Sequence, residues 1–320
     1  MIIDENKVSV IIPTYGGSGS LTRAIDSVID QSYSSFEVIV VDDNNPGTEG
    51  REKTEKCMLK YVDNPIVKYI KHDKNRNGSA ARNTGFRAST GGFICLLDDD
   101  DVFLSGKIAK QVSYLLSNPE YGACYCWRRQ RGKEICGCYT GDLSQQLLDL
   151  TFTPTTSALM IRRSCYEALD GFDESYRRHQ DYEFMLRFFK HFKMGVVEEV
   201  LLDFVGNEVN NQLKGKKLYD TKVQFFSQFD EDIKQIEVAN RGFKRKVYSA
   251  HFSDAIKELI RYGNIGLAFK MYCKYGIKGG TLFWKYFFRK INDWIGRNIG
   301  KENVKNGINV EKTTYEQIKK

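Results

Sequence analysis

The apolar run at residues 93–97 is followed directly by four consecutive aspartates at positions 98–101. A short apolar run of this kind predicts a buried strand, so the acids would lie at the carboxyl edge of a sheet. In open α/β sheets, ligands bind at that edge. Because four adjacent carboxylates repel one another, a bound cation would stabilise the cluster. The sequence therefore predicts a divalent metal site, with a solvated acidic loop as the alternative.

Strands and helices are predicted to alternate over the first hundred residues. Strands are expected at 8–12, where Pro13 ends the strand, at 36–41 and at 67–70, all before the acidic strand. Helices are expected at 21–31, with an apolar face of Leu21, Ala24, Ile25, Val28 and Ile29, and at 80–88. This alternation implies an α/β fold with a mostly parallel sheet and right-handed crossovers.

A hairpin is predicted over residues 123–139, centred on Arg131 with Gly132 in the turn. That register would form two cysteine pairs on one face: Cys124 with Cys138, and Cys126 with Cys136. Four such thiols are a candidate zinc site, although zinc sites more often use Cys-x-x-Cys spacing. We favour buried thiols that act as small apolar side chains.

The bulk sequence excludes some classes of protein and favours others. No run of 18 apolar residues is present, and the N-terminus lacks the pattern of a signal peptide, so we expect a cytoplasmic protein with reduced cysteines. The net charge is +7, and basic residues interleaved with aromatics become frequent from Lys214 onward. That pattern fits a nucleic acid or an anionic membrane surface. We predict no nucleic-acid partner, because no zinc-finger spacing or RNA-binding signature is present.

The pattern becomes helical near residue 213, which predicts two domains, residues 1–212 and 213–320. A helical pair is expected at 254–262 and 265–275, joined at Gly263-Asn264. A further helix at 281–299 would have basic and polar residues opposite an apolar face that consists of Phe283, Trp284, Phe287, Phe288, Ile291, Trp294 and Ile295. Such a helix is typical of membrane interfaces, and packing of the same face on the domain is the alternative.

A glycine-containing segment, Gly17-Ser18-Gly19, follows the first predicted strand and invites a dinucleotide-binding interpretation. Two details disagree with it. Thr22 occupies the third glycine position, and three residues separate the strand from the glycines. A dehydrogenase would also leave the four aspartates unexplained.

Several polar motifs follow in order along the chain: Pro13-Thr14-Tyr15, Asp42-Asp43, the segment 76–83, the aspartates 98–101, and the segment 171–187 with Gln180-Asp181. In this order, from about residue 8 to 205, they resemble the inverting glycosyltransferases of family two, of the bacterial surface-polysaccharide type. The resemblance implies the GT-A fold, a Rossmann-like sheet flanked by helices, here with a helical C-terminal extension.

The resemblance assigns the acidic motif to a divalent cation, Mn²⁺ or Mg²⁺. It implies that Asp100 is the direct metal ligand and that Asp98 faces the metal or the ribose, with Asp99 beside the nucleotide. The orientations of Asp99 and Asp101 stay open. A hard cation between carboxylates and a diphosphate would stabilise the charge that develops on a leaving nucleoside diphosphate.

The resemblance assigns the other motifs to the uracil and the diphosphate of the nucleotide. Asp43 matches the family position that accepts a hydrogen bond from uracil, while Tyr15 and Pro13 match the base pocket and Arg82 a site near the diphosphate. The alternatives are turn or helix capping for Asp43 and core packing for Tyr15.

Asp181 is the candidate general base, because the acceptor hydroxyl is a weak acid that must lose its proton as it attacks the sugar. Its alternative is the N-cap of a following helix. The family more often has Glu before this Asp, whereas this chain has Gln180. Residues 155–157 are candidate acceptor contacts.

The sequence thus predicts a metal-assisted transfer from a UDP-sugar to a glycan, which would be lipid-linked and part of a cell-surface polysaccharide such as a capsule. The enzyme would lie in the cytoplasm or peripherally on the inner face of the membrane. A nucleotidyltransferase is one alternative, but the loop at 16–19 has no basic residue before Arg23. A catalytically degenerate glycan- or partner-binding module is another.

Overall fold

The computed structural model describes residues 2–17, 19–153, 155–205 and 213–305, with side chains to residue 292. The chain divides into two compact units, Met1–Gln212 and Leu213–Lys320.

The first unit is built on one sheet of nine strands within the described residues. These strands are β1 Asp4–Thr14, β2 Phe36–Asp42, β3 Val67–Lys71, β4 Gly91–Leu96, β5 Val102–Phe103, β6 Tyr121–Gln130, β7 Lys133–Ile135, β8 Leu159–Arg162 and β9 Lys193–Phe204. Their order is β3-β2-β1-β4-β8-β6-β9-β5, and β7 pairs with β6.

Seven helices accompany this sheet in the described part of the unit. They are α1 Leu21–Ile29, α2 Glu49–Met58, α3 Gly78–Ala88, α4 Lys107–Ser117, α5 Ser144–Leu148, α6 Arg163–Ala168 and α7 Gln180–Phe189. The predicted apolar face of α1 is confirmed for Leu21, Ala24, Ile25 and Val28, which are buried, whereas Ile29 is half-buried. Helix α3 contacts β1 closely, because a Cβ on Gly85 would lie 2.4 Å from Ile11 Cγ2.

The strands β1 to β4 pair only in parallel with one another, as predicted. Val10, Ile11 and Ile12 are all fully buried, as expected for a strand covered on both faces. Pro13 does not end β1, which continues to Thr14 beside Asp42 of β2. The pairing of β1 with β4 ends at Ile11, before Pro13. The missing N–H of Pro13 therefore removes no hydrogen bond between these two strands.

The second half of the sheet adds the reversed strands β5, β7 and β8, while the other six described strands run in one direction, so the sheet is mostly parallel as predicted. Strand β8 is antiparallel to both β4 and β6, so β6 runs in the same direction as β4. The carboxyl ends of β1, β2, β4 and β6 therefore lie at the same edge. The predicted α/β fold with helices around a sheet is confirmed.

The predicted hairpin register is wrong by one residue. The observed pairs are Gln130 with Lys133 and Arg129 with Glu134, because the turn consists of both Arg131 and Gly132, which have φ of 52° and 71°. Two consecutive residues with positive φ are typical of a type I′ hairpin turn.

The cysteine pairs of the predicted hairpin are consequently not formed. The ladder ends at Ile135, before either cysteine of the second segment. Cys124 and Cys126 are buried in β6, as expected for small apolar side chains, whereas Cys136 and Cys138 are exposed. All four thiols are free.

The second unit is helical. Its helices are α8 Lys216–Gln228, α9 Asp230–Ala239, α10 Phe243–Arg261, α11 Ile265–Met271 and α12 Ile277–Lys305, with a π-helical turn at Tyr272–Gly276. The predicted junction at Gly263-Asn264 is confirmed, and Gly263 has a φ of 76°. Helix α12 is broken at Gly280, where φ is 53° and ψ is −137°. The core of this unit includes the buried rings of Phe225, Phe229, Phe252 and Phe283.

The predicted apolar face of α12 is only partly buried. Phe283 is buried, whereas Trp284 is 41% exposed and Phe288 is 56% exposed. The side chains of Trp294 and Ile295, which belong to the same predicted face, lie outside the described residues. Among the helices that the structure describes, none is both long enough and apolar enough to cross a membrane.

Candidate active site

The four aspartates follow β4 in a tight turn at the carboxyl edge of the sheet. The Asp101 N–H donates to the Asp98 carbonyl oxygen over 3.0 Å, which closes the turn. Two of the four side chains are buried, and the other two are partly exposed. The turn therefore separates four chemically identical residues into two different environments.

Asp99 and Asp101 are the buried pair. The Thr14 hydroxyl donates to Asp99 over 2.6 Å, and the Ser157 hydroxyl donates to Asp101 over 2.6 Å. Burial, reinforced by the neighbouring acids, raises the pKa of Asp99 to about 7 and raises the pKa of Asp101 as well. The cluster therefore has fewer than four negative charges near neutral pH, so part of the expected repulsion is relieved by the protein itself.

Asp98 and Asp100 are the partly exposed pair at this edge. One Asp98 oxygen accepts from Arg82 over 2.6 Å, and the Thr156 hydroxyl lies 3.3 Å from the other. Within the described residues, no group of three or more His, Cys, Asp or Glu side chains could hold a metal ion. Two carboxylates do fit a hard cation whose remaining ligands are water and phosphate oxygens. Metal binding thus stays a prediction, and one that requires the substrate to complete the site.

Arg82 on α3 connects the acidic turn with α7. Its side chain is nearly buried, at 8% exposure. One terminal nitrogen donates to Asp98 over 2.6 Å and the other to the Gln180 side-chain oxygen over 2.9 Å. The guanidinium also lies 5.5 Å from the ring of Phe172. These contacts fix a cation between the predicted metal ligand and the segment that contains the predicted base.

Asp43, at the end of β2, is surrounded by donors. One carboxylate oxygen lies 2.7 Å from His72 Nδ1 and accepts from the Arg76 N–H over 2.7 Å. The other accepts from the Asn75 side chain over 2.8 Å and from the Asn77 N–H over 2.9 Å. A carboxylate has about four acceptor positions, and all four have partners here. Asp43 therefore orders the loop before α3, and a bond to uracil would require one of these partners to move.

Tyr15 and Pro13 lie at the end of β1. The Tyr15 side chain is 62% exposed, which rules out core packing and leaves its ring open to a base. The following residue, Gly16, donates its N–H to the Asn44 side chain over 2.7 Å. Asn44 in turn donates to the buried Asp42 over 2.7 Å, so the loops after β1 and β2 are joined.

Asp181 lies in the first turn of α7, which begins at Gln180. Since His179 precedes the helix with a φ of 61°, Asp181 is not its N-cap. Burial raises the pKa of Asp181, while the Tyr182 N–H and the Arg82 charge oppose the shift. A raised pKa makes a carboxylate a stronger proton acceptor, as a general base for a hydroxyl requires.

Sequence reasoning missed several residues of this site. The donors to Asp43 come from residues 72–77, where the Asn and Arg residues of the loop were the available signal. Thr156 and Ser157 contact Asp98 and Asp101, and their contact with the acceptor stays a prediction. Arg82, Asp98 and the segment that contains Asp181 do lie together, because Arg82 donates both to Asp98 and to Gln180, which precedes Asp181.

The model of the family described as Glycosyl transferase family 2 matches residues 9–135, which include both acidic strand ends and Arg82. WfgD of Escherichia coli, a UDP-Glc:alpha-D-GlcNAc-diphosphoundecaprenol beta-1,3-glucosyltransferase, is 31% identical over 36% of this chain and 44% of its own length. An uncharacterized glycosyltransferase of Rickettsia prowazekii is 30% identical over 61% of this chain and 62% of its own. The chain thus spans less than two thirds of these two relatives.

Two further comparisons extend over more of the chain. AmsB of Erwinia amylovora, an amylovoran biosynthesis glycosyltransferase, is 25% identical over 66% of this chain and 73% of its own. The crystal structure of S. aureus TarS in complex with UDP-GlcNAc superimposes with a TM-score of 0.57 at 16% identity, and covers 79% of this chain and 81% of the TarS chain.

The fold is therefore of the GT-A type, and residues 9–135 match the family 2 glycosyltransferase domain. The predicted resemblance to this family is confirmed for those residues. Asp181 lies beyond the residues that the family model matches, so its role as general base stays a prediction.

Proposed function

We propose that this protein transfers a sugar from a UDP-sugar to a hydroxyl group of a glycan, with inversion at the anomeric carbon. The observation that supports this most strongly is the position of Arg82. Its guanidinium contacts Asp98 on the donor side and Gln180, next to the candidate base, on the other. The Arg82 guanidinium thus links the donor side of the site with the side of the candidate base, and a single displacement requires both.

On the donor side, the leaving nucleoside diphosphate gains negative charge as the bond to the sugar breaks. Arg82 lies where it would attract that charge, and its contact with Asp98 fixes its orientation. A divalent cation, Mn²⁺ or Mg²⁺, held by Asp100 and Asp98 would supply further positive charge beside the diphosphate. The exposed ring of Tyr15 would stack on the uracil.

On the acceptor side, Asp181 would accept the proton of the attacking hydroxyl. Its partial burial and raised pKa suit that role. A single base suffices for inversion, because the hydroxyl attacks from the face opposite the leaving group. No covalent enzyme intermediate is required.

The acceptor that we propose is a lipid-linked glycan used to build a cell-surface polysaccharide such as a capsule. The names of WfgD and AmsB, which include a diphosphoundecaprenol-linked acceptor and a polysaccharide, support this proposal. Exposed apolar side chains of the second unit support a peripheral position on the inner membrane face. Phe269 is 69% exposed and Phe288 is 56% exposed, with basic residues near both in the sequence.

The test uses Asp181→Asn in the full chain, with Asp63→Asn at an exposed position as the control. A panel of UDP-sugars is screened for UDP release, and the anomeric configuration of the product is read by NMR. We expect Asp181→Asn to lower kcat by about 10²-fold or more, as for loss of a general base, with donor binding nearly unchanged. An equal loss of donor binding, or retention of configuration, would contradict the proposal.

A further inference from the structure

The second unit contains a cavity of about 670 Å³ that belongs to no site described above. It lies among α8, α9, α10 and the segment that leads into α12. Four basic side chains line it, but only one carboxylate does. Its volume falls within the range of pockets that bind small molecules, which is roughly 300–1,000 Å³.

The single carboxylate of the cavity, Asp230, is already neutralised. It forms ion pairs with Lys234 at 2.8 Å and with Lys244 at 2.9 Å, and it accepts a hydrogen bond from the Tyr248 hydroxyl over 2.7 Å. These contacts, led by the bond from Lys234, hold the pKa of Asp230 well below its usual range. Asp230 is therefore ionised, and its carboxylate oxygens already have partners in Lys234, Lys244 and Tyr248.

The other three cations, Arg245, Lys274 and Lys278, have no carboxylate of their own in the lining, and Lys274 shares the attraction of Asp230. In the part of the chain that the structure describes, no carboxylate forms an ion pair with any of the three. Three positive charges around one cavity raise the local concentration of anions. The cavity is thus electrostatically suited to a ligand with more than one negative charge.

The guanidinium of Arg245 is held in place by the break in α12. Its Nε donates to the Gly279 carbonyl oxygen over 3.0 Å. A Cβ on Gly280 would lie 2.9 Å from an Arg245 terminal nitrogen, so the glycine lets the backbone approach the side chain. A fixed guanidinium can form paired hydrogen bonds with a phosphate group.

Aromatic rings form another part of the lining. The ring of Tyr275 stacks on Phe252 with centroids 3.9 Å apart, and Tyr248 lies edge-on to it at 5.3 Å. The Lys274 ammonium is 5.0 Å from the centre of the Tyr275 ring. A rigid aromatic surface beside cations suits the apolar face of a sugar ring next to a charged group.

We propose that this cavity is a second ligand site, which binds a phosphate or diphosphate group attached to a sugar. The ligand in the cell would be the phosphorylated end of the acceptor glycan, a step that rests on the proposed function. The phosphate chemistry could also come from an anionic lipid headgroup, and the experiment below separates the two sources.

The experiment measures binding of glucose 1-phosphate to the full chain by calorimetry, with and without saturating UDP. Glucose is the uncharged reference. The test variant is Arg245→Gln with Lys278→Gln, and the control is Lys270→Gln with Lys285→Gln, whose side chains are exposed and outside the cavity. Melting curves establish that the variants are folded, and a single Lys278→Glu variant provides a second test should the double variant fail to fold.

We expect glucose 1-phosphate to bind whether or not UDP is present, and glucose to bind far more weakly. Affinity should fall by about tenfold or more in the test variant, as for loss of a charge-assisted hydrogen bond, and stay unchanged in the control. Equal affinity for glucose, or an unaffected test variant, would overturn the proposal. Binding of the same variants to phosphatidylglycerol vesicles is measured in parallel. A test variant that loses vesicle binding but keeps its affinity for glucose 1-phosphate would assign the cavity to lipid headgroups and overturn the acceptor as its ligand.

This experiment is independent of turnover. If UDP fails to bind while glucose 1-phosphate binding still depends on Arg245 and Lys278, the proposed function fails and the second site stands. If UDP binds and the cavity variants change nothing, the second site fails alone.

Discussion

Replacement of Asp43 by Asn should destabilise the ligand-free protein. Asn has one acceptor oxygen where Asp has two, so in either amide orientation two donors lose their acceptor. These are His72 with the Arg76 N–H, or the Asn75 side chain with the Asn77 N–H. Because Asp43 is only 3% exposed, water cannot easily replace the lost partners. A donor without a partner costs about 1–3 kcal/mol, and because the donors of residues 75–77 are only part-buried, we expect a loss of about 2 kcal/mol in the free energy of unfolding.

The assay is thermal unfolding followed by circular dichroism without nucleotide, with Asp73→Asn at an exposed position nearby as the control. For a domain of this size, each kcal/mol lowers Tm by about 2–4 °C, so Asp43→Asn should lower it by several degrees at least. The control should lie close to the wild type. An unchanged Tm for Asp43→Asn, together with lost UDP binding, would refute the structural role and favour direct contact with the base.

Two further predictions concern charge and hairpin register. Gln180→Glu would place a second carboxylate against Arg82 and a negative charge beside Asp181. The added negative charge should raise the pKa of Asp181. The acidic limb of the pH profile of kcat/KM should therefore move to higher pH by roughly one unit. Gln180→Ala, which removes the contact without adding charge, is the control, and an unmoved limb with Gln180→Glu would contradict the argument. Cys136 should react with a thiol reagent in the folded protein and Cys124 only after unfolding; protection of Cys136 would contradict the observed register.

The parallel part of the fold could be predicted from the sequence because its signals are local. The continuous apolar runs of β1, β2 and β4 and the periodic face of α1 follow directly from burial on two faces or on one. The carboxyl-edge position of Asp43 and Asp98 followed from the same strands. Those predictions needed no knowledge of distant contacts.

Which of the four aspartates are buried and which are partly exposed could not be predicted in this way. The residues are chemically identical, and their environments are set by Thr14 and Ser157, which lie 85 and 56 positions away from their partners. The hairpin error has a similar origin. A one-residue shift in the turn moves every following side chain to the opposite face, and only the backbone conformation of Arg131 and Gly132 decides between the two registers.

The most direct test of the central claim is calorimetry of UDP binding to the full chain, with manganese and without it, for the wild type and for Asp100→Ala. Asp63→Asn, at an exposed position, is the control, and NAD is the reference ligand. The account predicts UDP binding that strengthens with manganese, that loses this dependence in Asp100→Ala, and no binding of NAD. Absence of UDP binding with or without metal would contradict it, because the acidic edge of the sheet would then serve a different ligand.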